Sequence, residues 1–255
     1  MGQAIAGGLV ERGVMDAKRL AVYDVDAGKQ LQARELGATV YGSPSELAAA
    51  SEAIVLAVKP QTMGEALDQL KPGLMERTLV ISIAAGISIA FIAKRLGERT
   101  RIARVMPNTP AMVNAGAAGI ALAANCNAED ERTTRAIFEA IGVVEFVDES
   151  SIDAVTALSG SGPAYFFYMV ECLVKAARQQ GLTEKQATTL AAQTLLGSGL
   201  LLQQSGESAT TLRERVTSKG GTTEAALKMF NENGVEDAIA AGVQAAVARA
   251  KELGQ

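Results

Sequence analysis

At 255 residues and 48% hydrophobic composition, the chain can bury a large core, as one large domain or two ordinary ones. A formal net charge of −4 and a pI near 5.1 give no electrostatic reason to approach nucleic acid or an anionic membrane surface, so a small-molecule partner is favoured. The count of zero histidines removes the commonest general acid/base and the commonest metal ligand together. The two cysteines, Cys126 and Cys172, fit neither a disulfide scaffold nor a zinc spacing, and no metal is expected.

In chain order, residues 1–150 alternate short β-branched runs with helical patterns, the sign of βαβ units and a parallel sheet. The predicted strands are Leu20–Asp24, Ala53–Val58, Leu79–Ala84, Ile102–Met106, Gly119–Ala123 and Val143–Val147. Between them, Gly2–Arg12, Ala27–Leu36, Ser45–Ala50, Thr62–Leu70, Ile89–Leu96 and Glu129–Ile141 read as helices. From Ser151 the β-rich runs stop, and residues 151–255 read as an all-helical domain. Pro163 opens a helix to about Gln180, Thr183 and Gln186 form a capping box for the next, to about Gln204, and three more follow at Ala209–Val216, Thr223–Glu232 and Val235–Leu253. Leu190, Leu195, Leu196, Leu200, Leu201 and Leu202 crowd one helix, and Ile239, Val243 and Val247 mark another. Five helices in one copy leave such faces uncovered, which predicts a homodimer through this domain.

Two stretches lack charge, Val105–Ala128 and Gln186–Gly206, but carry too many Pro, Asn, Thr, Gln, Ser and Gly to be membrane spans. The start Met1-Gly2-Gln3 has neither a basic nor an apolar leader pattern, so a cytoplasmic protein is expected.

A dinucleotide site begins with strand, G-x-G-x-x-G, then helix, with an acidic residue about 20 residues further on. Gly2 begins an amphipathic helix whose Gly7-Gly8 pair permits close approach to a sheet, and Asp24 ends the first predicted strand. The spacing fits a fingerprint whose last glycine is Gly2, so the chain is expected to open inside that unit, without its first strand. The plainer alternative makes Gly2 the residue after an initiator and Asp24 a turn residue. A-V-K-P at 57–60 and M-P-N-T-P at 106–110 each end a hydrophobic strand with a turn. There Ala57, Val58 and Pro60 can line a flat cofactor, Lys59 supplies a cation and Asn108 an amide. The alternatives are a solvated Lys59 and an Asn108 that only satisfies its turn.

L-A-V-K-P-Q (56–61), V-I-S-I-A-A-G-I (80–87), R-V-M-P-N-T-P-A (104–111), L-S-G-S-G-P-A-Y-F (158–166) and V-T-S-K-G-G-T-T (216–223) follow one another in a specific order and spacing. In these the chain resembles the pyrroline-5-carboxylate reductases over essentially its whole length. The resemblance implies a Rossmann domain, a helical domain that interlocks with its twin in a dimer or a ring of dimers, and reduction of 1-pyrroline-5-carboxylate to L-proline by NADPH or NADH. It adds Ala84 and Ala85 to the cofactor set of Gly2, Asp24, Ala57, Val58, Lys59, Pro60 and Asn108.

For the substrate carboxylate, S-K-G-G-T-T at 218–223 offers a glycine pair opening onto a helix, with Ser218, Gly220, Gly221, Thr222 and Thr223 as candidates and Ser161 from a second glycine-rich helix entry. The resemblance places the Thr223 hydroxyl near the substrate nitrogen, and Ser218 and Thr223 are the catalytic candidates; the alternative for Thr223 is an N-cap, and for the Ser161 segment a capping role. Two other readings stand beside this one. A β-hydroxyacid dehydrogenase shares the two-domain plan but needs a lysine early in the first helix of its second domain with an asparagine four residues on, where this chain has Lys175 and Gln179. A non-catalytic nucleotide-sensing protein is the other.

Overall fold

The computed structural model describes residues 1–254. They form two compact units, one of Met1–Ser161 together with the chain from Ala246 onward, the other of Gly162–Ala245. The first thus runs past residue 150. The reason lies in residues 149–160, which are tied to the sheet: Glu149 and Asp153 pair with Arg104, and Val155 packs so closely on Gly119 that a Cβ there would lie 2.6 Å from it.

In the first unit, α1 (Gly2–Glu11), β1 (Ala21–Val22), α2 (Ala27–Glu35), β2 (Thr39–Val40), α3 (Pro44–Ala49), β3 (Ala53–Leu56), α4 (Met63–Leu70), β4 (Leu79–Ser82), α5 (Ile89–Leu96), β5 (Arg101–Met106), β6 (Gly116–Leu122), α6 (Ala128–Glu139), β7 (Gly142–Phe146) and the short α7 (Ile152–Val155) follow in order. Side-chain caps start several of these helices where the sequence turns polar: Ser43 accepts from Glu46 N–H ahead of Pro44, Ser88 from Phe91 N–H, and Asn127 and Asp130 cap each other's backbone.

The strands form two sheets, β1-β2 and β3-β4-β5-β6-β7. All ladders are parallel except β5·β6. The connection explains the one antiparallel ladder in the expected parallel sheet: residues 107–115 are too few for a crossover helix, so the chain returns antiparallel. Strand β2 also escaped the sequence reading, being only two residues long.

The central strand β4 is buried on both faces. Leu79 and Ile81 join Ile5 and Leu9 of α1, Ala103 and Val105 of β5 and Phe138 of α6 in one core layer. Val80 joins Ile54, Leu56, Met63, Leu67, Ile92 and Ile102 in the other, under α3, α4 and α5. Helices on both faces of a largely parallel sheet make this a Rossmann-type unit, and the carboxyl ends of β3, β4 and β5 all point to one edge.

The second unit holds α8 (Gly162–Gln179), α9 (Glu184–Ser205), α10 (Ala209–Arg215), α11 (Thr222–Glu232) and most of α12 (Val235–Leu253). The predicted Thr183–Gln186 capping box is present, and Gly206, at φ 68°, takes the left-handed conformation that ends α9. Between residues 162 and 245 only Gly162 and Ala187 are buried. Phe166, Phe167, Tyr168, Leu190, Leu196 and Leu201 are each more than half exposed.

Candidate active site

The predicted cofactor residues lie in the first unit, at the carboxyl edge of its parallel strands. Helix α1 begins without a side-chain cap, leaving its first N–H groups free to face an anion. Its Gly2 approaches the end of β3 so closely that a Cβ would lie 3.2 Å from that of Ala57. Ala57, Val58 and Lys59 are exposed, and Pro60 opens a short 3-10 turn behind them. Asp24 follows β1, its Oδ1 accepting from Asp26 N–H at 3.0 Å and its Oδ2 lying 3.7 Å from Lys29 Nζ. After β4, Ala84 is buried and its N–H donates to the buried Ser82 Oγ at 3.4 Å, while Ala85 is half-buried. An uncapped helix start, an acidic strand end and an open apolar shelf fit a dinucleotide.

Asn108 is employed differently from the expectation. Its Oδ1 accepts from Ala117 N–H at 2.9 Å and its Nδ2 donates to the Ser159 carbonyl at 3.1 Å. The amide therefore ties the end of β5 to the start of β6 and to the π-helical turn Thr156–Gly160. Ser161 follows that turn half-buried, with its N–H donated to the Thr156 carbonyl at 2.8 Å.

A cluster the sequence reading missed lies one residue pair deeper. Arg104 of β5 is nearly buried and donates to Glu149 Oε1 at 3.1 Å, with Asp153 at 3.7 Å. The same Glu149 oxygen accepts from Ile89 N–H at 2.7 Å, at the start of α5. Arg104 Nε is buried without a hydrogen-bond partner. No spacing rule links residues 89, 104 and 149; only the topology brings them together.

The substrate candidates other than Ser161 lie in the second unit, at the entrance of α11. Gly220 turns the chain at φ 73°, and Gly221, not Thr223, is the N-cap, with no side-chain hydrogen bond there. Glycine suits position 221, because a Cβ there would lie 2.9 Å from the Ser218 carbonyl oxygen. Two of the expected donors are spent within the loop: Gly220 N–H donates to Glu224 Oε2 at 2.7 Å and Gly221 N–H to the Ser218 carbonyl at 2.9 Å. The N–H groups of Thr222 and Thr223 lead the helix with no side-chain cap. Ser218 and Thr222 are exposed, Thr223 is half-buried, and no hydrogen bond to the Thr223 hydroxyl is found among the described residues. Uncapped donors beside hydroxyls at the positive end of an 11-residue helix suit a small carboxylate.

Cys126 takes no part in this chemistry: burial pushes its thiol up, and its Sγ donates to the Ile102 carbonyl at 3.3 Å. Among the described residues, no group of three or more His, Cys, Asp or Glu is placed to hold a metal, and no helix is long and apolar enough to cross a membrane.

Residues 149–253 match the family described as pyrroline-5-carboxylate reductase dimerisation, and residues 1–86 match one described as NADP oxidoreductase, coenzyme F420-dependent. The pyrroline-5-carboxylate reductase of Methanosarcina acetivorans is 39% identical over 257 residues, covering 100% of this chain and 95% of that protein. The chain belongs to the pyrroline-5-carboxylate reductase family. The reductase of Pseudomonas aeruginosa is 38% identical over 100% of this chain and 94% of its own length. Among solved structures, the pyrroline-5-carboxylate reductase of Coxiella burnetii superposes with a TM-score of 0.95 at 36% identity, covering 100% of this chain and 95% of that one. The Plasmodium falciparum pyrroline carboxylate reductase with NADP bound gives 0.87 at 30% identity, over 100% and 95%.

Proposed function

We propose that this chain reduces 1-pyrroline-5-carboxylate to L-proline with NADPH or NADH, the last step of proline formation. Whole-length membership of the reductase family carries the reading. The two donor-rich helix entries, α1 for a pyrophosphate and α11 for a carboxylate, supply its chemistry. When bound, the reduced nicotinamide supplies the hydride for the C=N carbon.

The chain's own residues do the rest by position and charge. Gly2 and the first turn of α1 face the cofactor's phosphates, Asp24 its adenosine ribose, and Ala57, Val58, Lys59, Pro60, Ala84 and Ala85 its flat and polar parts. Asn108 serves by fixing the end of β5. Thr222 and Thr223 N–H, with the Ser218 hydroxyl, hold the substrate carboxylate; Gly220 and Gly221 shape the loop rather than donate, and Ser161 is a further polar group for the substrate. Hydride addition to the protonated imine leaves the former C=N electron pair as the lone pair of the amine and needs no further proton, whereas the neutral imine gains its one proton through the Thr223 hydroxyl. No histidine acid is required, since positioning and electrostatic stabilisation lower the barrier.

The bare helices of the second unit support a homodimer or a ring of dimers, in keeping with the dimerisation family matched there. A cytoplasmic location is supported by the free thiols of Cys126 and Cys172. The test is the oxidation of NADPH and of NADH by the purified chain with 1-pyrroline-5-carboxylate, run beside 3-hydroxy acids with the oxidised cofactors. Turnover of the imine alone supports the reading; turnover of the hydroxy acids alone, or of neither, refutes it.

A further inference from the structure

NADPH differs from NADH by one phosphate on the adenosine ribose, and Asp24 stands where a Rossmann unit meets that ribose. A lone carboxylate there accepts hydrogen bonds from the ribose diol and repels a 2′-phosphate. In this chain Asp24 is not alone. We infer that Lys29, in the first turn of α2, is the residue that lets the chain accept the 2′-phosphate, by releasing Asp24 and pairing with the phosphate instead; the inference rests on the cofactor site proposed above.

Asp24 is held rigidly. Its Oδ1 accepts from Asp26 N–H at 3.0 Å, and its carbonyl accepts from Gln30 Nε2 at 2.7 Å. The nearby Asp26 is committed elsewhere, its Oδ1 capping α2 by accepting from Gly28 and Lys29 N–H at 2.7 and 3.3 Å. Lys29 Nζ lies 3.7 Å from Asp24 Oδ2, with the two side chains 53% and 30% exposed. So open an ion pair contributes little and is easily exchanged, and the flexible lysine stem lets the ammonium follow a new partner. Between Leu20 and Ala33 no other cation is present. The second half of α2 is tied to the α1 start, where Gln3 Nε2 donates to Gln32 Oε1, so this helix lies beside the helix entry assigned to the pyrophosphate. The pair therefore offers each cofactor its own partner: the carboxylate for the diol of NADH, the ammonium for the phosphate of NADPH.

Calorimetric titration of the wild-type chain and of Lys29→Ala with 2′,5′-ADP and with 5′-ADP separates the possibilities. Lys29→Ala is expected to weaken 2′,5′-ADP about tenfold and to leave 5′-ADP within about twofold, a difference near 1.4 kcal/mol. The deficit shrinks as salt is raised, and Lys29→Arg restores 2′,5′-ADP binding because the charge is kept. Unchanged 2′,5′-ADP affinity in Lys29→Ala, or an equal loss for both nucleotides, overturns the role of Lys29 while leaving the cofactor site in place. A wild-type chain that binds neither nucleotide overturns the cofactor site itself, and this inference with it.

Discussion

Gly7 and Gly8 are neighbours on α1, yet adding one methyl group to each has opposite consequences. A Cβ on Gly8 would lie 2.3 Å from Ile141 Cγ2 and 3.2 Å from the Ala140 carbonyl oxygen, whereas one on Gly7 meets nothing within 4 Å. Carbon atoms rest at roughly 3.5–4.0 Å, so Gly8→Ala forces more than an ångström of displacement. Ile141 is buried in the core layer shared by α1, β4 and β6, so its displacement disturbs that packing. Overpacking of this kind costs about 1–3 kcal/mol, offset by about 1 kcal/mol of helix propensity gained on replacing glycine. With a backbone oxygen also close, the upper end applies, giving a net loss near 2 kcal/mol. Gly7→Ala keeps the propensity gain without the clash, about +1 kcal/mol. For a chain of this size each kcal/mol moves Tm by roughly 2–4 °C, so the two variants should melt about 6–12 °C apart on either side of wild type. The melts are to be recorded without cofactor and at one protein concentration, because association shifts Tm by mass action. Equal Tm values, or shifts in the same direction, refute the close approach of α1 to the β7 entrance.

Glu149→Ala leaves the buried Arg104 charge only the longer pair with Asp153 and strips the Ile89 N–H of its acceptor, and urea unfolding should show a loss of up to about 3 kcal/mol; Arg104→Met, which removes the charge instead, should cost clearly less. Asp24→Ser should raise the NADPH-to-NADH ratio of kcat/KM, and an unchanged ratio removes Asp24 from the ribose site. Light scattering should give no stable monomer at micromolar concentration, since a single copy leaves the aromatic face of α8 in water. Thr223→Ala should lower kcat/KM for 1-pyrroline-5-carboxylate by roughly 10- to 150-fold, with Tm almost unmoved because Gly221 is the cap; Thr223→Ser should retain most activity.

Much of this fold is legible in the sequence because its signals are local. The alternation of β-branched runs with amphipathic stretches finds six of the seven strands, and the Thr183–Gln186 box marks the start of α9. What escapes is set by partners rather than by pattern. Strand β2 is two residues long and exists through its ladder with β1. The direction of β6 is decided by the length of the preceding connection, and the pairing of Gly7-Gly8 hides that only Gly8 meets the core.

The site divides along the same line. The positions of Gly2, Asp24 and Ala57–Pro60 in the fold are legible because a helix start and a strand end are sequence features. The partners of Asn108 lie 9 and 51 residues away, so its bridging could not be read from its turn. At α11 the sequence reading left Thr223 either a cap or a substrate residue. Backbone geometry moves the cap to Gly221 and leaves the threonine hydroxyl without that task. It also turns Glu224 back onto Gly220 N–H, so in the proposed site the free donors are those of the first two threonines of the helix and not those of the glycines. A loop whose glycine donors are already satisfied stays shaped before substrate arrives. On the proposed reading, that preorganisation is what two uncapped N–H groups and a hydroxyl contribute in place of a histidine.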